Sequence, residues 1–146
     1  MIVVTLRGEP EGRKQPQPFV THKNGRPIVI LHPATETKRY QRALALQAKV
    51  VMGSKPLLTG ALVVTVTAVM SVPRSWSQKD RDAALTGVIR PTGKPDWDNF
   101  GKQLDAFKGV VWVDDAIVVD ARVIKVYGEN PHLRIEVAPV EKGSLL

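Results

Sequence analysis

Four aspartates close together, Asp96, Asp98, Asp114 and Asp115, with Lys102 among them, are the residues best suited to chemistry in this 146-residue chain. Asp96 and Asp98 follow Pro95, which biases Lys94 toward an extended conformation, and a helix can begin within Asp96 to Asn99. On a helix running from Asp98 to about Lys108, Phe100, Leu104 and Phe107 have the i, i+4, i+7 spacing of a core face. Asp98, Lys102 and Asp105 have the same spacing on the opposite, exposed side. Such a helix climbs roughly 15 Å. A turn at Gly109 and an extended run from Val110 to Asp114 would bring the chain back about 13 Å. The spacing thus predicts that Asp114 and Asp115 return beside Asp96 and Asp98.

Carboxylates gathered this way raise one another's pKa unless a positive charge sits among them. A hard divalent cation meets that need. Mg²⁺ takes oxygen ligands, accepts one or two carboxylates directly and keeps several waters, leaving room for a phosphate oxygen and an attacking water. Asp96, Asp98, Asp114 and Asp115 are all candidate ligands. Lys102, one turn from Asp98, could stabilise charge developing on a phosphate. The plainer alternative is that Asp96 and Asp98 only cap a helix and that Asp114-Asp115 only makes a turn. Zinc chemistry is not expected, since the chain has no cysteine and its histidines, His22, His32 and His132, lie far apart.

The charge distribution suggests the partner. Residues 1–94 hold 15 basic and 5 acidic side chains, or +10, and residues 95–146 hold 6 and 9, or −3. A basic body fits a polyanion, because each Lys or Arg on a phosphate releases counterions. Nucleic acid is therefore the expected partner, with the weaker alternative that charge only aids solubility. The contact candidates are Arg13 and Lys14 in an early basic stretch, Lys38 and Arg42 on a helix face, and Arg90 and Lys94 before the acidic cluster. No segment has the length and apolarity of a membrane span, and residues 1–6 lack the layout of a secretory signal, so a cytoplasmic protein is expected.

The scaffold reads as one α+β domain over residues 1–146, with 141–146 as a frayed tail. Residues 2–6 suggest a first strand, Gly8 to Pro27 a long basic loop, and Ile28 to Leu31 a second strand. From Thr35 to Met52 the pattern is helical, with Tyr40, Leu44, Ala48 and Val51 on one side and Lys38, Arg42 and Lys49 opposite. That basic stripe suits either a phosphate backbone or a solvated face. Leu62 to Met70 is the clearest strand. Between Ser71 and Pro95, Ser77 and Asp80 resemble a capping box before a short helix from Gln78 to Thr86, and the remainder is expected to be mobile. Trp76 there could stack in an unpaired DNA centre or pack beneath its own loop. Ile117 to Tyr127 and Leu133 to Val137 are expected to form a closing hairpin about Gly128 to Pro131.

The string Lys94-Pro95-Asp96-Trp97-Asp98-Asn99 with Lys102, then Asp105-Ala106, Val111-Trp112-Val113-Asp114-Asp115 through Asp120, and Arg122 to Lys125, resembles the RusA family of Holliday junction resolvases. The likeness is dense over roughly the last third of the chain. It implies that Asp96, Asp98 and Asp115 are the catalytic carboxylates and Lys102 the essential lysine. It further implies a mixed sheet flanked by helices, Mg²⁺ dependence, a homodimer, and paired symmetrical nicks in four-way DNA junctions. A C2 pair would present one site to each of two opposed strands of such a junction. Two other classes stay open. One is a binding protein that keeps its carboxylates for structure. The other is a magnesium-dependent phosphohydrolase for a small substrate, against which stands the lack of a glycine-rich phosphate cradle ending in Gly-Lys-Ser/Thr.

Overall fold

The computed structural model describes residues 1–32 and 34–141. The strands are β1 (Ile2–Arg7), β2 (Gln17–Lys23), β3 (Arg26–His32), β4 (Leu62–Met70), β5 (Val118–Tyr127) and β6 (His132–Pro139). The α-helices are α1 (Thr35–Met52), α2 (Gln78–Leu85) and α3 (Trp97–Gly101), and two 3-10 helices span Lys102–Phe107 and Asp115–Ile117. A mixed four-stranded sheet has the order β1-β6-β4-β5, and β2 with β3 makes a separate two-stranded ribbon. This is an α+β fold.

Alternation along the strands builds the core. Ile2 and Val4, Leu62, Val64, Val66 and Ala68, and Leu133, Ile135 and Val137 are all buried on one face of the sheet. Against them pack Tyr40, Leu44, Ala48 and Met52 of α1, together with Phe100, Phe107 and Trp112. The spacing of the α1 residues places them on one stripe of the helix, which faces the sheet. Met52 completes that stripe, and Val51, expected there, is only half-buried. Gly53 ends α1 at a positive φ of 54°, its N–H donating to the Lys49 carbonyl. The Ser77 hydroxyl accepts from the Asp80 N–H and caps α2, as the capping pattern predicts.

Four expectations need correction. The stretch from Gly8 to Pro27 is not all loop, because Gln17–Lys23 pairs antiparallel with Arg26–His32. The turn between them is Asn24-Gly25, with φ of 53° and 73°, a pair that suits a tight hairpin. The helix expected from Asp98 to Lys108 stops at Gly101 and tightens into the 3-10 helix, and the run from Val110 to Asp114 is not a strand. Trp112 there makes only single bridges with Leu58 and Lys108. Finally, β5 and β6 are not a hairpin. β4 lies between them, parallel to β5 and antiparallel to β6, so residues 128–131 pass over the end of β4.

The connection after β4 is tied down rather than loose. Arg81 donates to the Pro73 carbonyl, Arg90 Nε to the Lys125 carbonyl at 2.9 Å, and Lys125 Nζ to the Gly93 carbonyl at 2.6 Å. Trp76 packs edge-on against Tyr127, so of its two expected roles the structural one is occupied. Of the tail expected at 141–146, all but Glu141 lies outside the described residues. No helix among the described residues is long and apolar enough to cross a membrane.

Candidate functional site

The acidic residues are carried by chain that is irregular but deeply anchored. Phe100, two residues after Asp98, and Phe107 are fully buried, as are Val111 and Trp112. Phe107 and Trp112 meet edge to face at 5.4 Å. At Gly101 a Cβ would meet Val123 Cγ2 at 3.6 Å, an ordinary contact, so packing against the sheet does not require the glycine. Glycine is a poor interior helix residue, which favours the change to 3-10 geometry at this point. In the tighter helix Gln103 turns inward and is fully buried, while Leu104, expected in the core, is only half-buried.

Asp96 holds the N-cap position of α3 but makes no side-chain cap hydrogen bond. Lys94 Nζ instead lies 2.9 Å from both of its oxygens. Asp98 stands in the first turn and pairs with Lys102 across one helical turn at 3.5 Å. Three of these side chains are about half-exposed and Lys94 is largely in solvent, a setting where ion pairs contribute about 0–1 kcal/mol and exchange readily. Asp115 accepts a 2.7 Å hydrogen bond from the buried Trp112 indole, which fixes one of its oxygens. Asp114 caps the short 3-10 helix by accepting from the Ala116 N–H. The capping alternative raised for Asp96 and Asp98 finds no side-chain cap hydrogen bond at the start of α3, while Asp114 does help close the turn expected of it.

The early basic stretch joins this region through the backbone. Arg13 N–H donates to the Asn99 carbonyl at 2.9 Å, and Lys14 N–H to the Thr37 hydroxyl of α1 at 3.0 Å. Gln103 Nε2 donates to the Glu11 carbonyl, and the Arg13 guanidinium pairs with Asp105. Gly12 is needed here, since a Cβ would fall 2.5 Å from Pro95 Cβ. The result is a groove of about 590 Å³ with residues 10–15 on one wall and Lys94, Pro95, Asp96 and Asn99 on the other. Arg13, Lys14, Lys94 and Asp96 are thus brought together. Lys38 and Arg42 lie apart on the exposed face of α1, where Arg42 shares a shallow trough with Arg39 and Lys49. Arg90 serves the connection to β5. Gly12, Asn99 and Gln103 were not foreseen, and the only signal in the sequence was a glycine set between Glu11 and Arg13.

The donor set suits a hard cation in kind, being all carboxylate oxygen with exposed lysines as exchangeable counter-charges. Among the described residues, however, no three acidic or histidine side chains stand close enough to hold an ion. The four-carboxylate convergence inferred from chain length is therefore absent as a ready-made cage. Asp96 and Asp98 share the start of α3, while Asp115 is positioned separately by Trp112.

Two comparisons bear on this arrangement. Residues 8–138 match the family model described as endodeoxyribonuclease RusA. The chain is also 31% identical over 142 residues to the uncharacterized protein YqaN of Bacillus subtilis (strain 168), covering 95% of this chain and 96% of that one.

Proposed function

The chain belongs to the RusA endodeoxyribonuclease family, and from that premise we propose that it is a structure-specific nuclease resolving four-way DNA junctions. In this reading it acts as a homodimer with Mg²⁺ and makes paired, symmetrical nicks. The observation that carries it is the groove in which Arg13, Lys14 and Lys94 flank Asp96, with Asp98 and Lys102 on the adjoining helical turn.

Arg13 and Lys14 would bind phosphates on one wall and orient the strand along it. Asp96 and Asp98 would hold Mg²⁺, and Asp115 would join them only on a rearrangement, since no three carboxylates among the described residues stand close enough as they are. Bound there, Mg²⁺ would acidify a water and offset charge on the scissile phosphate. Lys94 and Lys102 pair with Asp96 and Asp98 at solvent-accessible positions, so neither pair would have to persist with a cation bound. Lys102 would then be free to donate to a phosphate oxygen or to the departing oxygen. The Trp112 indole keeps Asp115 from rotating, so its second oxygen stays available in a fixed direction.

One observation favours a second reading. Lys94 and Lys102 already neutralise Asp96 and Asp98, as they would in a binding protein without chemistry. Cleavage of a synthetic four-way junction separates the two. Asp96→Asn, Asp98→Asn and Asp115→Asn should each lower nicking by at least a thousandfold while junction binding persists, and chelating Mg²⁺ should stop it. Loss of binding in all three variants, or a linear duplex cut as fast as the junction, would overturn the resolvase reading.

A further inference from the structure

A polar side chain taken out of water gives up hydration that its hydrogen bonds must replace, so its partners show what it holds. Aromatic rings aside, two polar residues are buried among those described, Thr37 at 3% and Gln103 at 0% exposure. They lie on different elements, the first turn of α1 and the 3-10 helix that follows α3. Yet both bond to the backbone of one short segment. The Thr37 hydroxyl accepts from the Lys14 N–H at 3.0 Å, and Gln103 Nε2 donates to the Glu11 carbonyl at 2.8 Å. Between these two points the Arg13 N–H donates to the Asn99 carbonyl.

Residues 10–16 belong to no helix or strand, so no ladder of backbone bonds fixes them. What they carry is the basic wall of the groove, with Arg13 and Lys14 across from Lys94 and Asp96. Gln103 is kept beneath that wall at a cost, since its Oε1 is buried without a partner and an orphaned acceptor destabilises a fold. A methionine of similar volume would fill the same space without that penalty. We propose that Thr37 and Gln103 are positioning residues, a two-point clamp that sets Arg13 and Lys14 where they meet the phosphates of a strand lying at Asp96. The inference rests on the junction-resolving reading and adds what holds its basic wall in place. Both side chains act through the backbone of Glu11 and Lys14, without touching the DNA.

The combined Thr37→Val, Gln103→Met variant keeps both volumes and removes both bonds. Its far-ultraviolet spectrum should be retained and its junction binding weakened about tenfold. The slope of log association constant against log salt concentration should become shallower by about 1 to 2, the share of two lost phosphate contacts. In nicking assays the loss should fall on KM, with kcat within about threefold of the unaltered value. Thr37→Ser, which keeps the hydroxyl, should bind as the unaltered protein does. So should Gln41→Met, which alters a half-buried amide whose nitrogen bonds to nothing. In an Arg13→Ala, Lys14→Ala background the clamp changes should add less than about twofold. Should the combined variant unfold, Thr37→Val and Gln103→Met are read singly by the same slope, each with about threefold weaker binding. An unchanged salt slope, a full-sized further loss in the Arg13→Ala, Lys14→Ala background, or Thr37→Ser failing as Thr37→Val does, overturns the clamp; junction cutting by the unaltered protein then leaves the resolvase reading standing. An unaltered protein that neither binds nor nicks junctions removes that reading, and the clamp's role with it.

Discussion

From Lys94 to Ile117 the chain has almost no regular ladder: a five-residue helix, two 3-10 helices and single bridges. Yet this stretch buries Phe100, Phe107, Val111 and Trp112 completely. The β2–β3 ribbon is the reverse, paired in register from Gln17↔His32 to Lys23↔Arg26 while burying almost nothing. Backbone hydrogen bonds mostly replace bonds to water and add little net stability, whereas apolar burial adds about 25 cal/mol per Å². Regular pairing and firm attachment are therefore separate properties. The carboxylates sit on the firmly attached region, next to the anchors that hold it.

The sharpest way to break this contrast is Trp112→Ala. The substitution removes a fully buried ring and the hydrogen bond to Asp115, and should cost about 3–5 kcal/mol in urea unfolding. A loss under about 1 kcal/mol would mean the anchors do not hold the region. Next comes Gly12→Ala, whose Cβ would collide with Pro95; overpacking of this kind costs about 1–3 kcal/mol and should weaken junction binding as the groove wall shifts. Gly25→Ala sharpens the other side. At a φ of 73° a side chain costs about 1–2 kcal/mol locally. Ribbon amides should exchange faster than in the unaltered protein, while the urea midpoint of the domain stays where it was.

The smallest expected effect at neutral pH is that of Tyr40→Phe. Burial pushes the Tyr40 hydroxyl up to about 12, against a smaller opposing pull from the Glu11 backbone. Its oxygen has no hydrogen-bond partner of good geometry. At pH 7 the change should move stability by no more than about 0.5 kcal/mol, there being no made bond to lose. The neutral hydroxyl is favoured in the folded state, so its contribution is complete below pH 10 and is lost as pH rises toward 12. The unaltered protein should lose stability across that window by urea titration, and Tyr40→Phe should lose less.

What the sequence disclosed follows the same division. α1 was legible to the residue because one helical period runs through it, β4 because it is an unbroken run of β-branched and apolar residues, and α2 because Ser77 and Asp80 mark its start. The hairpin was hidden by Pro16 and Pro18, which break the look of a strand, although Asn24-Gly25 signalled the turn. The long helix after Asp98 failed at Gly101, a poor interior helix residue that the apolar spacing alone does not reveal as a break. The pairing of β5 and β6 was misread because nothing local to two consecutive strands reveals a third between them. At the site, the residue types and the Asp98–Lys102 pair were legible. The route by which Glu11, Gly12 and Arg13 reach Asn99 and Gln103 was not, since it joins segments some 90 positions apart and, apart from the Gln103 amide, uses backbone groups that every sequence possesses.

The place of β6 also governs how the molecule comes into being. β1 is the earliest strand, and its neighbour in the sheet is residues 132–139. During synthesis at roughly 5–20 residues per second, the opening strand would wait several seconds for its mate to emerge from the ribosome. A nascent chain halted near residue 131 would leave β1 unzipped from β4, so arrest there should yield a protease-sensitive intermediate instead of a shortened enzyme.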